Sequence, residues 1–233
     1  MIPDVVYPVK LRGHDRELRY SLRSLKNIPH GNVYIVGECP KWVKNVIHID
    51  VRQRRALTRF ENSARNLLAA CRDPRISDEF IWMNDDFYIT RPIKKIPALH
   101  RGTLEEVIST EYEGKNSQYV RIMRHANDYL KKAGKPTYCY ELHAPMMIRK
   151  QGYLDIYKLF RDRHQVPHGA DRSLYGNFEA IGGTKVKDVK VYKPDGDIPD
   201  GPFVSSGPGA LEGSFLEWLR GTFPERSDYE RHT

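Results

Sequence analysis

The apolar residues Phe80-Ile81-Trp82-Met83 run directly into Asn84-Asp85-Asp86, and that junction restricts the chain more than any other stretch. A short run rich in aromatic and β-branched side chains reads as a buried strand. Two adjacent carboxylates cannot follow it into a core, because an unpaired buried charge costs several kcal/mol. They must stand where the strand leaves its sheet. In an open α/β sheet the carboxyl ends of the strands are where ligands bind. Paired acids there suit a hard divalent cation, magnesium or manganese, held by Asp85 and Asp86. The same tripeptide also makes an ordinary turn, its aspartates capping a loop or pairing with Arg91, so the surroundings decide.

Those surroundings alternate strand and helix. Segments 4–9, 32–37 and 46–51 read as strands. Residues 16–26 carry Leu18, Leu22 and Leu25 at helical spacing. Asn62 or Ser63 is placed to cap a helix through Leu67, Leu68 and Cys71. Strands separated by helical segments predict a parallel sheet with helices on its faces. After Pro97 the pattern turns helical over 103–110, 118–132, 151–163 and 171–180. Residues 138–148 form a short apolar stretch, 185–193 alternate like a strand, 194–209 read as loop, and 215–219 suggest a closing helix. The expectation is one domain over 1–233, with 98–233 forming the far wall of a cleft against 1–97.

Composition narrows the partners. With 233 residues and 39% hydrophobic content, the chain has ample material for a core. No apolar run approaches the ~20 residues that span a bilayer. Met1-Ile2-Pro3-Asp4 lacks the layout of a secretory signal. Cys39, Cys71 and Cys139 are widely spaced and give neither a disulfide framework nor a zinc signature. A cytoplasmic location is the expectation. Net charge is +8, and its excess concentrates between Lys41 and Arg72. Arg52, Arg54, Arg55, Arg59 and Arg65 lie there, a patch that attracts a polyanion such as nucleic acid, an anionic polymer or a phosphorylated small molecule. A solvated face that keeps the protein soluble accounts for the same residues equally well.

Asp4-Val5-Val6-Tyr7 followed by His14-Asp15-Arg16-Glu17-Leu18-Arg19-Tyr20-Ser21-Leu22-Arg23-Ser24-Leu25 resembles the opening regions of the Stealth family of sugar-phosphate transferases. Val33-Tyr34-Ile35-Val36, Pro40-Lys41-Trp42-Val43, the run from Phe60 to Ala64, and Phe80 through Phe87 continue the likeness. His143-Ala144-Pro145 resembles the family's His-x-Pro region, and His168 to Leu174 its last region. The match is dense over 4–92 and sparse beyond. It implies a Rossmann-like, GT-A-type, parallel-rich α/β sheet with flanking helices and a helical C-terminal subregion. It also implies a nucleotide-sugar donor, a UDP-sugar favoured, bound by 1–97 with the acceptor on the side of 98–233. Carried over by position, Asp4 lies near the nucleotide, Asp85 and Asp86 at the donor phosphates or metal, and His143 at the reacting group. Pro8-Val9-Lys10, Asn66 and Pro167 depart from the family pattern at residues associated with sugar-phosphate transfer. These departures favour transfer of the sugar itself.

Such a transfer needs a counter-charge for the leaving phosphate, a base for the acceptor hydroxyl and a pocket for the nucleoside. The expected metal at Asp85 and Asp86 supplies the first as a Lewis acid. Asn84, Arg23, Arg91, Asp171 and Arg172 complete the expected donor site, the arginines through charge-assisted bonds to phosphate. Asp85, Glu141 and His143 are the candidate bases. His164 and His168 with Asp171 do not match a closed zinc site and read as a surface or substrate loop. Glu17 and Arg19 at a helix start, Trp42 as a stacking ring, and Tyr138 with Tyr140 as a sugar subsite are weaker candidates that ordinary packing also explains. The leading expectation is a nucleotide-sugar-dependent glycosyltransferase, its basic patch favouring DNA with hydroxylated bases as acceptor. Its rivals are a sugar-1-phosphate transferase acting on a polysaccharide and a non-catalytic nucleic-acid-binding domain.

Overall fold

Both faces of the first strand, β1 (Asp4–Val9), are buried. Val5, Tyr7 and Val9 pack with Leu18 and Leu22 of α1 (Arg16–Ser24) and with Leu25 just beyond it. Val6 faces the other way, onto Leu67, Ala70 and Cys71 of α2 (Arg59–Arg72). A strand covered on both sides reads as a near-continuous apolar run, which is the parallel-sheet signature. The computed structural model that gives this arrangement describes residues 2–11, 15–163 and 167–231. His14 and His164, named above, lie outside them.

The remaining strands are β2 (Val33–Gly37), β3 (Ile47–Asp50), β4 (Glu79–Trp82), β5 (Phe87–Ile89), β6 (Leu99–His100), β7 (Met146–Arg149), β8 (Thr184–Lys185), β9 (Lys190–Val191) and β10 (Phe203–Ser206). The main sheet has the order β3-β2-β1-β4-β7. Its first four strands are parallel, and β7 runs antiparallel against β4. The chain builds outward from β1 to β3, then returns through α2 to lay β4 on the other side of β1. That reversal opens a crevice between the carboxyl ends of β1 and β4, and Asn84-Asp85-Asp86 sits at its mouth. Gly37 shapes the same rim: at φ 114°, a Cβ there would stand 2.3 Å from the Val9 carbonyl, so only glycine fits.

Beyond the sheet, α3 (Leu104–Glu111), α4 (Gln118–Lys132), α5 (Lys150–Arg163) and α6 (Asp171–Phe178) enclose a separate core around Met123, Leu130 and Leu174. A three-stranded sheet, β5-β10-β9, closes the other flank with α7 (Gly213–Thr222), through Tyr88, Val204, Phe215 and Leu219. Among the described residues no helix is long and apolar enough to cross a membrane.

Several local expectations change. The helix expected to be capped by Asn62 or Ser63 starts earlier, because Thr58 and Glu61 form a reciprocal capping box. The strand expected over 185–193 splits into β8 and β9, which join different sheets. The loop expected over 194–209 contains β10, four buried residues paired with both β5 and β9.

The polar tail docks rather than trailing away. The buried Glu230 carboxylate accepts from Arg23 Nε at 2.7 Å, Arg23 Nη2 at 2.9 Å and Arg19 Nη1 at 3.2 Å. The backbone follows, Lys44 N–H donating to the Tyr229 carbonyl and Arg231 N–H to the Trp42 carbonyl. Arg23 is thus committed to the tail and to the Phe223 carbonyl, which corrects the donor role expected of it. Burial alone would raise the Glu230 carboxyl, but hydrogen bonds from Arg23 and the Ser227 N–H bring it down to about 2. A depressed carboxylate stabilises the fold at pH above its ordinary range and loses that contribution as pH falls toward its folded value. Glu230→Ala is expected to cost about 3–5 kcal/mol in urea unfolding at neutral pH, by stranding a buried charge partner. The deficit should shrink between pH 4.5 and about 2.

Candidate functional site

Two adjoining cavities open at the carboxyl end of the main sheet, and Asn84, Arg59, Phe60 and Ser63 line both. The wider, about 700 Å³, lies over the ends of the parallel strands, between Pro8, Val9, Glu38, Gln53 and Asp85. The narrower, about 400 Å³, lies between β4 and the second half of the chain and is lined by Asp86, Glu141, His143, Asp171, Arg172 and Lys190. The junction singled out in the sequence therefore straddles the site, with its two aspartates divided between the cavities.

Asp86 is stitched to the three-stranded sheet. Its Oδ2 meets Lys190 Nζ at 3.2 Å and accepts from Ser205 Oγ at 3.3 Å, while its carbonyl accepts from the Ser206 N–H at 3.2 Å. The chemistry of this donor set fits poorly to the expected divalent cation. An ammonium already neutralises Asp86, Asp85 faces the other cavity, and among the described residues no three His, Cys, Asp or Glu side chains converge to hold a metal.

His143 is the best-positioned base. Asp188 accepts from its backbone N–H at 3.1 Å and from its Nδ1–H at 2.8 Å. Burial would raise the Asp188 carboxyl, but the hydrogen bonds from His143 and the nearby charge of Arg101 hold it below its ordinary value. An ionised Asp188 keeps the proton on Nδ1 and leaves Nε2 as the acceptor nitrogen. Asp188 escaped the sequence reading because it lies 45 residues away, in the connection between β8 and β9.

Arg172, on the first turn of α6, holds the segment that carries His143. Its Nη1 donates to the carbonyls on either side of that histidine, Leu142 at 2.9 Å and Ala144 at 2.7 Å. The guanidinium lies 4.5 Å over Trp82 and 5.2 Å over Phe87, and Phe87 in turn packs edge-on against His143. Burial lowers Arg172 to about 10, so it stays charged at neutral pH. Its Nη2 is buried, and among the described residues it has no hydrogen-bond partner, a donor left to pair with an acceptor.

The other acids on the narrow cavity are engaged. Asp171 accepts from His168 Nδ1 at 2.7 Å and from the Gly169 N–H at 2.7 Å. For His168, burial lowers the pKa, but the hydrogen bond and charge of Asp171 outweigh it and the net shift is upward. Glu141 accepts from the N–H and Oγ of Ser173. Burial dominates these bonds and the charge of Arg172, and pushes the Glu141 carboxyl up to about 7.

Several expected site residues lie elsewhere. Asp4 is buried at the amino end of β1, where its carboxylate accepts from the N–H groups of Asn32 and Ser77, both at 2.7 Å. The five-residue rise of β1 puts it roughly 17 Å from the crevice, so it braces the sheet and does not touch a nucleotide there. Arg91 is exposed and pairs with Asp200. Of the five patch arginines, Arg54, Arg55 and Arg59 line the wider cavity. Arg52 and Arg65 stay outside both linings, joined by a bond from Arg65 Nη1 to the Arg52 carbonyl. Trp42 is covered by Arg19 at 4.0 Å, and Tyr138 and Tyr140 pack on His100. Glu17 lines neither cavity.

No family model matches the chain. Over 184 residues, 71% of the chain, it is 26% identical to the capsular polysaccharide phosphotransferase SacB of Neisseria meningitidis serogroup A. The same protein in strain DSM 15465 / Z2491 gives the same identity and coverage. The match takes in 32% of SacB, so the chain spans about a third of the length of the curated relatives it matches. Among solved structures, the apo-form glycosyltransferase GlyE of Streptococcus pneumoniae TIGR4 aligns with a TM-score of 0.41 and 10% identity. That alignment covers 80% of this chain and 45% of GlyE. A second GlyE structure gives 0.38 and 11%, over 79% and 44%.

Glu141 yields a prediction with a definite sign. A carboxyl raised in the folded state favours folding while it is protonated, and that advantage is lost as pH climbs through the folded value. Wild-type stability should therefore fall between the ordinary glutamate range and about pH 7, and Glu141→Gln should flatten that part of the profile in thermal unfolding at pH 5 and 8.

Proposed function

We propose that the chain is a transferase that moves a sugar-1-phosphate from a nucleotide-sugar donor to a carbohydrate hydroxyl, with the donor in the wider cavity and the acceptor in the narrower one. One observation carries this reading: an Asp188-oriented His143 with a buried, incompletely bonded guanidinium fixed to the carbonyls on both sides of it. In the reaction, His143 Nε2 takes the acceptor proton as the hydroxyl oxygen bonds to the sugar-linked phosphorus. The bond from that phosphorus to the nucleoside monophosphate breaks, and its electron pair leaves with the monophosphate. Charge in such a transition state spreads over the phosphoryl oxygens. Arg172 beside the base suits that charge through charge-assisted hydrogen bonds.

Transfer of the bare sugar is the second reading, favoured by the departures at Asn66 and Pro167. It passes through a transition state with positive character on the sugar ring, which a guanidinium in the same cavity opposes. The likeness to a capsular polysaccharide phosphotransferase supports the phosphoryl reading and a glycan acceptor. A DNA acceptor loses its main support, since Arg54, Arg55 and Arg59 line a cavity and are not spread over an open face.

The test is a panel of nucleotide sugars with glycan and hydroxymethylated-DNA acceptors, read by mass spectrometry. A hexose-phosphate increment on a glycan, with nucleoside monophosphate released, is the expected outcome. A bare hexose with nucleoside diphosphate released would establish the second reading. His143→Ala is expected to lower kcat/KM by about 10²–10⁴-fold, and Asp188→Asn to lower kcat and change its pH profile while donor binding is kept. Full activity in His143→Ala would sink the mechanism.

A further inference from the structure

We propose that the donor's diphosphate is gripped by the guanidinium groups of Arg54, Arg55 and Arg59, with no divalent cation needed to bind it. This rests on reading the wider cavity as the nucleotide-sugar site.

The cavity carries four basic side chains, Lys10, Arg54, Arg55 and Arg59, against the two acids Glu38 and Asp85. Among the described residues none of the three arginines has a carboxylate partner; Arg59 only overlies Phe60, at 4.7 Å. Arg23, Arg75, Arg101 and Arg149, by contrast, are each paired with a carboxylate. Three unneutralised guanidinium groups on one concave wall make a strong local positive field. Arginine's planar fork matches phosphate oxygens two at a time.

The loop that presents them is built rather than loose. Asn62, buried on the first turn of α2, accepts from the Arg54 N–H at 3.0 Å. Its amide donates back to the carbonyls of Arg54 at 3.0 Å, Leu57 at 3.3 Å and Thr58 at 3.2 Å. One side chain thus fixes the backbone from Arg54 to Thr58 against the helix that follows. A phosphate grip held in place before binding loses less entropy when the ligand arrives.

On the other side of Asn84, Lys190 already balances Asp86 at 3.2 Å, with both side chains largely enclosed. A dication placed on the same carboxylate would be repelled by that ammonium. The positive charge that a metal would bring to the diphosphate is therefore supplied by the arginines of the wider cavity.

The experiment is calorimetric titration of the intact chain with UDP and GDP, once in EDTA and once with magnesium or manganese. Binding of at least one nucleotide in EDTA, within threefold of its affinity with the metal, is the expected result. Arg54→Gln with Arg55→Gln should weaken it tenfold or more while the thermal unfolding midpoint is unchanged, since both side chains are exposed. Binding that appears only with the metal, or tightens more than tenfold with it, overturns the proposal and leaves the donor site standing. Arginine variants that fold and bind as wild type overturn it too. No binding of either nucleotide under any condition removes the donor site itself, and the proposal with it.

Discussion

The Arg172 guanidinium is the interaction around which the site is organised. It is buried, and an isolated buried charge would cost far more than a domain's net stability. What makes it tolerable is a specific set of neighbours: two backbone carbonyls and the faces of Trp82 and Phe87. Hydrogen bonds to a charged group contribute about 1.5–3 kcal/mol each, and desolvated cation–π contacts about 2 kcal/mol. Those neighbours come from three places: the end of β4, the start of β5 and the irregular segment before β7. Meeting the needs of one cation therefore fixes the relative position of all three, and His143 is fixed as a consequence. A histidine placed this way owes its geometry to a charge that must be satisfied, so its position is as firm as the fold.

Periodicity exposed the four parallel strands of the main sheet because each is short, apolar and separated from the next by a helix or turn, whereas antiparallel β7 lay inside a stretch read only as apolar. The ends of α1 and α4 fell close to the expected ranges 16–26 and 118–132. The smaller sheet was not legible in the same way. Phe87–Ile89 and Phe203–Ser206 are three and four residues long, and the second lies among glycines and prolines that signal loop. What makes them strands is pairing with each other across more than a hundred residues, which no local pattern records.

The site divides along the same line. Asn84, Asp85, Asp86, His143, Asp171 and Arg172 were readable because each stands beside an apolar strand or in a segment with a family resemblance, and all line one cavity or the other. Asp188 and Lys190 were invisible, since a lone acid and a lone lysine in an alternating charged stretch carry no signature until the chain brings them to His143 and Asp86. Asp4 and Arg23 erred in the opposite sense. Their positions match the family pattern, but a residue's place in a motif says nothing about which end of a strand it occupies or which partner the tail brings to it.

Adjacent carboxylates invite the idea of a shared metal because both are assumed to turn the same way. Here the backbone passes from Asp85 to Asp86 as it leaves one sheet and enters another, so consecutive side chains face different cavities. Both residues lie in the turn between β4 and β5, and that turn separates the two charges. Each then answers to its own surroundings, Asp86 to an ammonium held by β9 and Asp85 to a cavity dominated by arginine. On the proposed reading, counter-charge for a phosphate comes from the arginines on the wall of the wider cavity and does not depend on the capture of an ion.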